Sequence, residues 1–242
     1  MKRLRLGNIL ILLSLFIFSS YKIVCWKMDN DKSNEILNDI QENVTILKNR
    51  TTSKEEYIID FVNLKNKNND TIAYIKVNGT NIEYPLVKTS NNDYYLSHSF
   101  DKSYNSAGWP FVNYLNTLDG TDKNIVVFAH SRRDGSMFGT LYQTLSSKWQ
   151  SNTDNHKIIF IQENCTSYYQ VFSTYKVLNE DYYIKNYFDS DDEYVNFLNT
   201  ISSRSNYDYG VKVTKDDVIL TLSTCASDDM YRIVLHAKKV EI

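Results

Sequence analysis

The feature that most constrains the fold is a change of hydrophobic period at Thr71. From there to the carboxyl end, short apolar or alternating runs follow one another, with few helical segments between them. These runs cover residues 71–77, 81–88, 108–114, 125–129, 157–162, 168–177, 217–223 and 232–240. Eight short strands in such a series predict a mostly β protein folded as a mostly antiparallel barrel.

Helices are predicted in three other places. Residues 29–50 carry apolar side chains at the spacing of an amphipathic helix, namely Ile36, Leu37, Ile40, Val44 and Leu47. Ser53 to Glu56 form a capping-box pattern, which predicts a second helix with the apolar face Tyr57, Ile58, Phe61, Val62 and Leu64. A long helix is predicted over 190–203, and the acidic residues at its start favour the helix dipole rather than a metal site. We expect residues 27–70 to pack as a helical segment on a barrel domain of residues 71–242.

The amino end has the pattern of a membrane anchor. Lys2, Arg3 and Arg5 precede an uncharged, mostly apolar stretch over 6–21, and with Lys22 snorkelling the segment 6–26 is long enough to span a bilayer. An uncleaved signal anchor is favoured over a cleaved signal peptide, because no small-residue cleavage pattern follows. A lipoprotein anchored through Cys25 is disfavoured by the large Val24 before it. The basic end predicts a cytoplasmic segment over residues 1–5, a single pass, and an extracellular domain on the plasma membrane of a bacterium.

Composition excludes several classes of protein. The chain has 27 Lys and Arg against 29 Asp and Glu, so it lacks the basic surplus of a general nucleic-acid binder. Its three cysteines are too few and too far apart for a disulfide scaffold. Neither a metal nor another cofactor is predicted.

One cysteine lies where a nucleophile would be useful. Cys225 follows the apolar run Val218 to Leu222, and Arg232 opens the next strand after a short loop. Neighbouring strands lie about 4.8 Å apart, so the guanidinium can reach the thiol, and a nearby cation favours the nucleophilic thiolate. A buried free cysteine without chemistry is the alternative.

A histidine follows another buried strand. His130 comes directly after the apolar run 125–129, which would place its ring at the rim of the barrel for acid–base work. The alternative is a solvated loop residue. His236, by contrast, lies in the middle of a strand and is expected to fill a face of the sheet.

These segments together resemble a known family. Thr221-Leu222-Ser223-Thr224-Cys225 resembles the TLxTC signature of sortases, the cysteine transpeptidases of Gram-positive cell walls. Ile75 to Val87 is similar to the first sortase hairpin, and His130 with Asp134-Gly135-Ser136-Met137-Phe138 resembles a class B segment. The similarity runs from Thr71 to the carboxyl end. It implies a closed, eight-stranded sortase-type barrel with two N-terminal helices and a long helix before the Cys-bearing strand.

The resemblance also implies roles for individual residues. Cys225 would attack the Thr carbonyl of an NPxTx- or xPxTG-like sorting signal in a secreted protein, His130 would transfer protons, and Arg232 would stabilise the oxyanion or hold the signal. An amine of peptidoglycan or pilin would then accept the acyl group. By position, the substrate-groove residues would be Asn92, Leu96, Ser223 and Thr224.

The sequence departs from the class pattern in two places. Phe128-Ala129 stands where class B usually has Tyr-Gly, and seven positions separate Cys225 from Arg232, fewer than in some members. Both departures bear on signal specificity more than on chemistry.

Other families fit less well. A papain-like protease would carry its Cys before its His, an L,D-transpeptidase would carry a His-Gly-Cys cluster, and a wall-anchored adhesin would end in a sorting signal. A non-catalytic, sortase-like binding domain stays open as the alternative function.

Overall fold

The computed structural model describes residues 2–42, 44–48, 55–225 and 230–241, and at 2–6, 46–48, 55–56 and 225 it describes the backbone alone. The barrel consists of β3 (Thr71–Val77), β4 (Glu83–Val87), β5 (Phe111–Val112), β6 (Asn124–Ala129), β7 (Lys157–Gln162), β8 (Cys165–Leu178), β9 (Ile219–Cys225) and β10 (Tyr231–Val240). Outside it lie α1 (Lys2–Gln41), β1 (Val44–Lys48), β2 (Glu55–Ile59), α2 (Phe61–Lys67), α3 (Ser147–Gln150) and α4 (Asp191–Ser203).

The eight strands close in the order β10-β8-β7-β3-β4-β5-β6-β9, which confirms the predicted closed barrel. Most neighbours are antiparallel, whereas β4 with β5 and β6 with β9 are parallel. The inward side chains of the strands form one fully buried core, with Ile75, Val127, Phe160, Leu222 and Leu235 among them. Closure leaves the barrel without exposed edges.

The predicted helix over 190–203 is present as α4. Ser190 caps it by accepting a hydrogen bond from the Glu193 backbone N–H at 3.2 Å. Its apolar side, including Tyr194, Leu198 and Ile201, packs on the outside of the barrel in a second buried cluster. The acidic first turn pairs with lysines, as Asp191 does with Lys215 at 2.8 Å.

The N-terminal region differs from the prediction. The anchor segment and the first amphipathic helix are one helix, α1, which ends at Gln41 rather than at residue 50. Val44 and Leu47 belong instead to β1, which pairs with β2 in an antiparallel hairpin, Val44 opposite Ile59. The run Val44-Thr45-Ile46 is β-branched, which favours a strand once a partner is available.

The second predicted helix is correspondingly shorter. Ser53 lies outside the described residues, and Tyr57 and Ile58 are in strand β2 rather than in a helix. The helix begins only at Phe61, where Asp60 accepts a hydrogen bond from the Asn63 N–H at 2.9 Å. Pairing with β1 and burial of Tyr57 against Phe61 therefore outweigh the local capping pattern.

The last turns of α1 pack on the barrel. Ser33 and Ile40 are buried, and the Asn105 amide donates to the Asp29 carbonyl at 3.0 Å and to the Ser33 hydroxyl at 3.1 Å. Arg132 donates to the Asn30 side chain from the segment that follows β6. Farther toward the amino end, the helix is long and apolar enough to cross a membrane, and the barrel does not bury that apolar stretch.

Candidate active site

Strand pairing brings the three predicted catalytic positions to one rim of the barrel. In the parallel pair β6 and β9, Ala129 lies opposite Thr224, and the next residues along the two strands are His130 and Cys225. In the antiparallel pair β9 and β10, Arg232 lies directly opposite Cys225. The rim therefore combines a thiol residue, an imidazole and a guanidinium.

The ring of His130 is held from two sides. Its Nε2 lies 2.8 Å from the Leu96 carbonyl oxygen. Since a carbonyl only accepts, Nε2 carries the hydrogen, and Nδ1 is the nitrogen left to take or give a proton. Behind the ring, Gly108 has φ +62°, and a Cβ there would lie 2.5 Å from the Tyr95 carbonyl oxygen, 3.0 Å from the Leu96 carbonyl oxygen and 3.1 Å from the His130 Cδ2 atom. Glycine thus leaves the space that the imidazole fills.

A groove of about 350 Å³ opens at this rim and is lined by His130 and Arg232. One wall is the segment carrying Asn92 and Leu96, and the other is the loop after β8 with Tyr183 and Ile184. Phe111, Phe128, Ala129, Ser223 and Thr224 also line the groove. The four predicted substrate-groove residues thus line one cavity together with two of the predicted catalytic residues.

The groove residues differ in how they are held. Leu96 is 40% exposed, whereas Ser223 and Thr224 are each 2% exposed. The Ser223 hydroxyl lies 3.1 Å from the Tyr183 hydroxyl, which ties strand β9 to the opposite wall. Arg232 is half-buried, and its Nη1 donates to the Tyr231 carbonyl at 3.1 Å.

Phe128, one of the two departures noted in the sequence, packs on Phe111 with ring centroids 5.5 Å apart. It contributes apolar surface to the groove rather than a hydroxyl.

No three described His, Cys, Asp or Glu side chains come close enough together to hold a metal ion.

A series of hydrogen bonds between neutral side chains links the loop after β8 to strands β8, β10, β9 and β6. Tyr182 donates to Tyr175 at 3.0 Å, and the Tyr175 hydroxyl lies 2.8 Å from His236 Nε2. His236 Nδ1 lies 2.8 Å from the Thr221 hydroxyl, which donates to Asn124 Oδ1 at 2.7 Å. Because Thr221 has given its one hydrogen to Asn124, it accepts from Nδ1–H, and Tyr175 donates to Nε2. Burial lowers the pKa of His236 to about 3, so the ring stays neutral.

Asn124, the last residue of this hydrogen-bonded series, holds one wall of the groove in place. The Asn124 amide, which is fully buried, donates to the carbonyls of Tyr183 at 3.1 Å and Lys185 at 2.9 Å. The sequence did not indicate this wall, because residues 179–187 have no periodic pattern. Asn124, a polar residue at the start of a continuous apolar run, was the available signal.

Known proteins resemble this chain closely. A family model described as Sortase domain matches residues 75–240. Sortase B of Staphylococcus aureus is 32% identical, over 100% of this chain and 99% of its own length.

Solved structures agree with the sequence matches. Sortase B from B. anthracis in complex with AAEK1 has a TM-score of 0.76 at 29% identity, over 89% of this chain and 99% of that one. A sortase B complexed with triglycine has a TM-score of 0.71 at 31% identity, over 75% of this chain and 86% of that one.

Proposed function

Because this chain belongs to the class B sortases, a family of cysteine transpeptidases, we propose that Cys225 is its nucleophile, His130 its proton-transfer residue and Arg232 its oxyanion-stabilising or signal-holding residue. The observation that carries this proposal is the strand pairing: Arg232 opposite Cys225, and Ala129 opposite Thr224. Residues directly opposite each other in antiparallel strands bring their Cβ atoms about 5 Å apart.

The reaction proceeds through a thioacyl-enzyme. The Cys225 thiolate attacks the Thr carbonyl carbon of a sorting signal, and Arg232 stabilises the negative charge on the carbonyl oxygen. As the C–N bond breaks, protonated His130 gives its Nδ1 proton to the leaving amine. An incoming amine then attacks the thioester, loses a proton to His130, and displaces the thiolate, so that one amide bond replaces another.

The substrate side of the proposal rests on the groove. We assign Asn92, Leu96, Ser223 and Thr224 to binding of an NPxTx- or xPxTG-like signal in a secreted protein, since all four line the cavity beside His130 and Arg232. For the acceptor we propose an amine of peptidoglycan or pilin, and the triglycine complex of a related sortase B supports a glycine-type amine.

The proposed location of the enzyme rests on the composition and exposure of α1. The exposed apolar side chains over residues 9–18 suit lipid contact. We propose an uncleaved signal anchor over 6–26, with residues 1–5 in the cytoplasm and with residues 27–70 and the barrel domain 71–242 outside.

The full chain in detergent micelles is incubated with a library of sorting-signal peptides and candidate amines. Mass spectrometry of the peptide products then measures cleavage and ligation together. Cys225→Ala is expected to abolish both, whereas Cys165→Ala, at an exposed position on β8, retains turnover. Arg232→Lys is expected to lower kcat/KM by about 10²-fold or more, because an ammonium cannot reproduce the planar guanidinium. Arg133→Lys, on the exposed loop after His130, is its matched control. Full activity of Cys225→Ala would refute the assignment.

A further inference from the structure

A second cleft adjoins the groove. It has a volume of about 620 Å³, and it shares Asn92 and Ile184 with the groove described above. Its rim carries Tyr114, Leu115 and Tyr187, whose side chains are 44%, 57% and 75% exposed. Exposed tyrosines offer a large contact area with little conformational freedom to lose.

A row of oriented amides runs through this cleft. Asn92 Nδ2 donates to Asn113 Oδ1 at 3.2 Å, and Asn113 Nδ2 donates to Asn186 Oδ1 at 2.9 Å. The row ends where Asn186 donates to the Asn124 carbonyl at 3.0 Å. An amide has two N–H donors and two acceptor lone pairs, so Asn92 and Asn186 retain capacity for further hydrogen bonds in a fixed orientation.

The two charged side chains that line the cleft, Asp122 and Lys185, already bind other groups of the protein. Asp122 accepts hydrogen bonds from the backbone N–H groups of Thr117 at 3.1 Å and Leu118 at 2.6 Å. Lys185 forms an ion pair with Glu193 of α4. What the cleft presents is therefore amide and aromatic surface, which suits an uncharged, extended peptide more than a phosphate or a cation.

We propose that this cleft binds the residues of the substrate that precede the cleaved motif, an inference that rests on the proposed function. Because the cleft and the groove share Asn92 and Ile184 as walls, one extended peptide can occupy both. His130 must reach the leaving nitrogen, so the leaving group lies on the His130 side. His130 does not line the second cleft, which therefore receives the acyl side of the peptide.

The test compares three peptides built on one motif that the full chain cleaves in detergent micelles. The first carries the motif with minimal flanks, the second adds six uncharged residues on the amino side, and the third adds the same six on the carboxyl side. We expect kcat/KM to be about tenfold higher for the amino-extended peptide than for the short one. Tyr187→Ala should bring the ratio between these two peptides close to one. Tyr142→Ala, which removes an exposed tyrosine away from both cavities, should keep the ratio.

The outcomes separate the two proposals. Equal kcat/KM for the short and amino-extended peptides would refute the cleft assignment and leave the proposed function intact. A gain confined to the carboxyl-extended peptide would also overturn it, because the cleft would then serve the leaving group or the acceptor. If none of the library peptides were cleaved, the proposed function would fall and the cleft assignment with it.

Discussion

His236 makes the stability of the barrel depend on pH. The imidazole is fully buried, and burial lowers its pKa from 6.5 to about 3 in the folded protein. Protonation would also place a second N–H against Tyr175, whose hydroxyl already accepts from Tyr182. The folded protein therefore holds the His236 imidazole in its neutral form.

The sign and size of the effect follow from proton linkage. Below pH 6.5 the unfolded chain binds a proton at His236 that the folded chain does not bind. The contribution of His236 to the free energy of unfolding is therefore fully present above pH 6.5 and is lost as the pH falls toward 3. Between pH 7.5 and 5 the loss amounts to about 2 kcal/mol, at a slope that approaches about 1.4 kcal/mol per pH unit.

Urea unfolding of the full chain in detergent micelles, followed by fluorescence of the buried Trp109 and Trp149, measures this loss. We expect His236→Gln to be less stable at pH 7.5 and to lose about 2 kcal/mol less than wild type between pH 7.5 and 5. Tyr175→Phe is the matched control, because it removes one hydrogen bond, about 0.5–1.5 kcal/mol, and keeps the imidazole and its pH dependence. Equal losses in wild type and His236→Gln would refute the reasoning. His156, whose pKa burial also lowers, is common to every variant and cancels.

Two further predictions concern the rim and the anchor. Gly108→Ala should push against the Tyr95 and Leu96 carbonyls, the second of which holds the His130 ring, and so displace the ring and lower kcat by about 10²-fold. Gly210→Ala, with similar φ and open space around it, should retain turnover in the same peptide assay. Similar kcat values for the two variants would contradict this. In whole cells of the Cys225→Ala variant, a membrane-impermeant maleimide should label the exposed Cys165, and labelling only after lysis would contradict the outward topology.

The strands of the barrel were predictable because their signal is local. Apolar runs such as those of β6 and β9 need no knowledge of their partners, and the residues that end them, His130 and Cys225, follow from the same pattern. The β1–β2 hairpin was missed because each strand depends on the other, and the residues of β2 also suit a helix in isolation.

The groove wall after β8 could not be read from the sequence for a similar reason. Its conformation depends on hydrogen bonds from Asn124 to the carbonyls of Tyr183 and Lys185, about sixty positions away along the chain. His236 was expected to fill a face of the sheet. Its place between Thr221 and Tyr175 emerges only when three strands are brought together.

Because α1 is one continuous helix, the direction in which the active-site groove faces depends on how far the barrel is rotated about the helix axis. No hinge interrupts the helix between the apolar turns and the turn where Asn30 meets Arg132, two residues after His130. Each residue inserted between these points would rotate the barrel by about 100° about the helix axis and move it about 1.5 Å along that axis. Two inserted residues would turn the groove to face nearly the opposite way, whereas seven would return it to within about 20° and move it about 10 Å along the axis. The number of residues between the apolar turns and Asn30, and not only their identity, therefore sets where the groove opens relative to a bilayer that the proposed anchor spans.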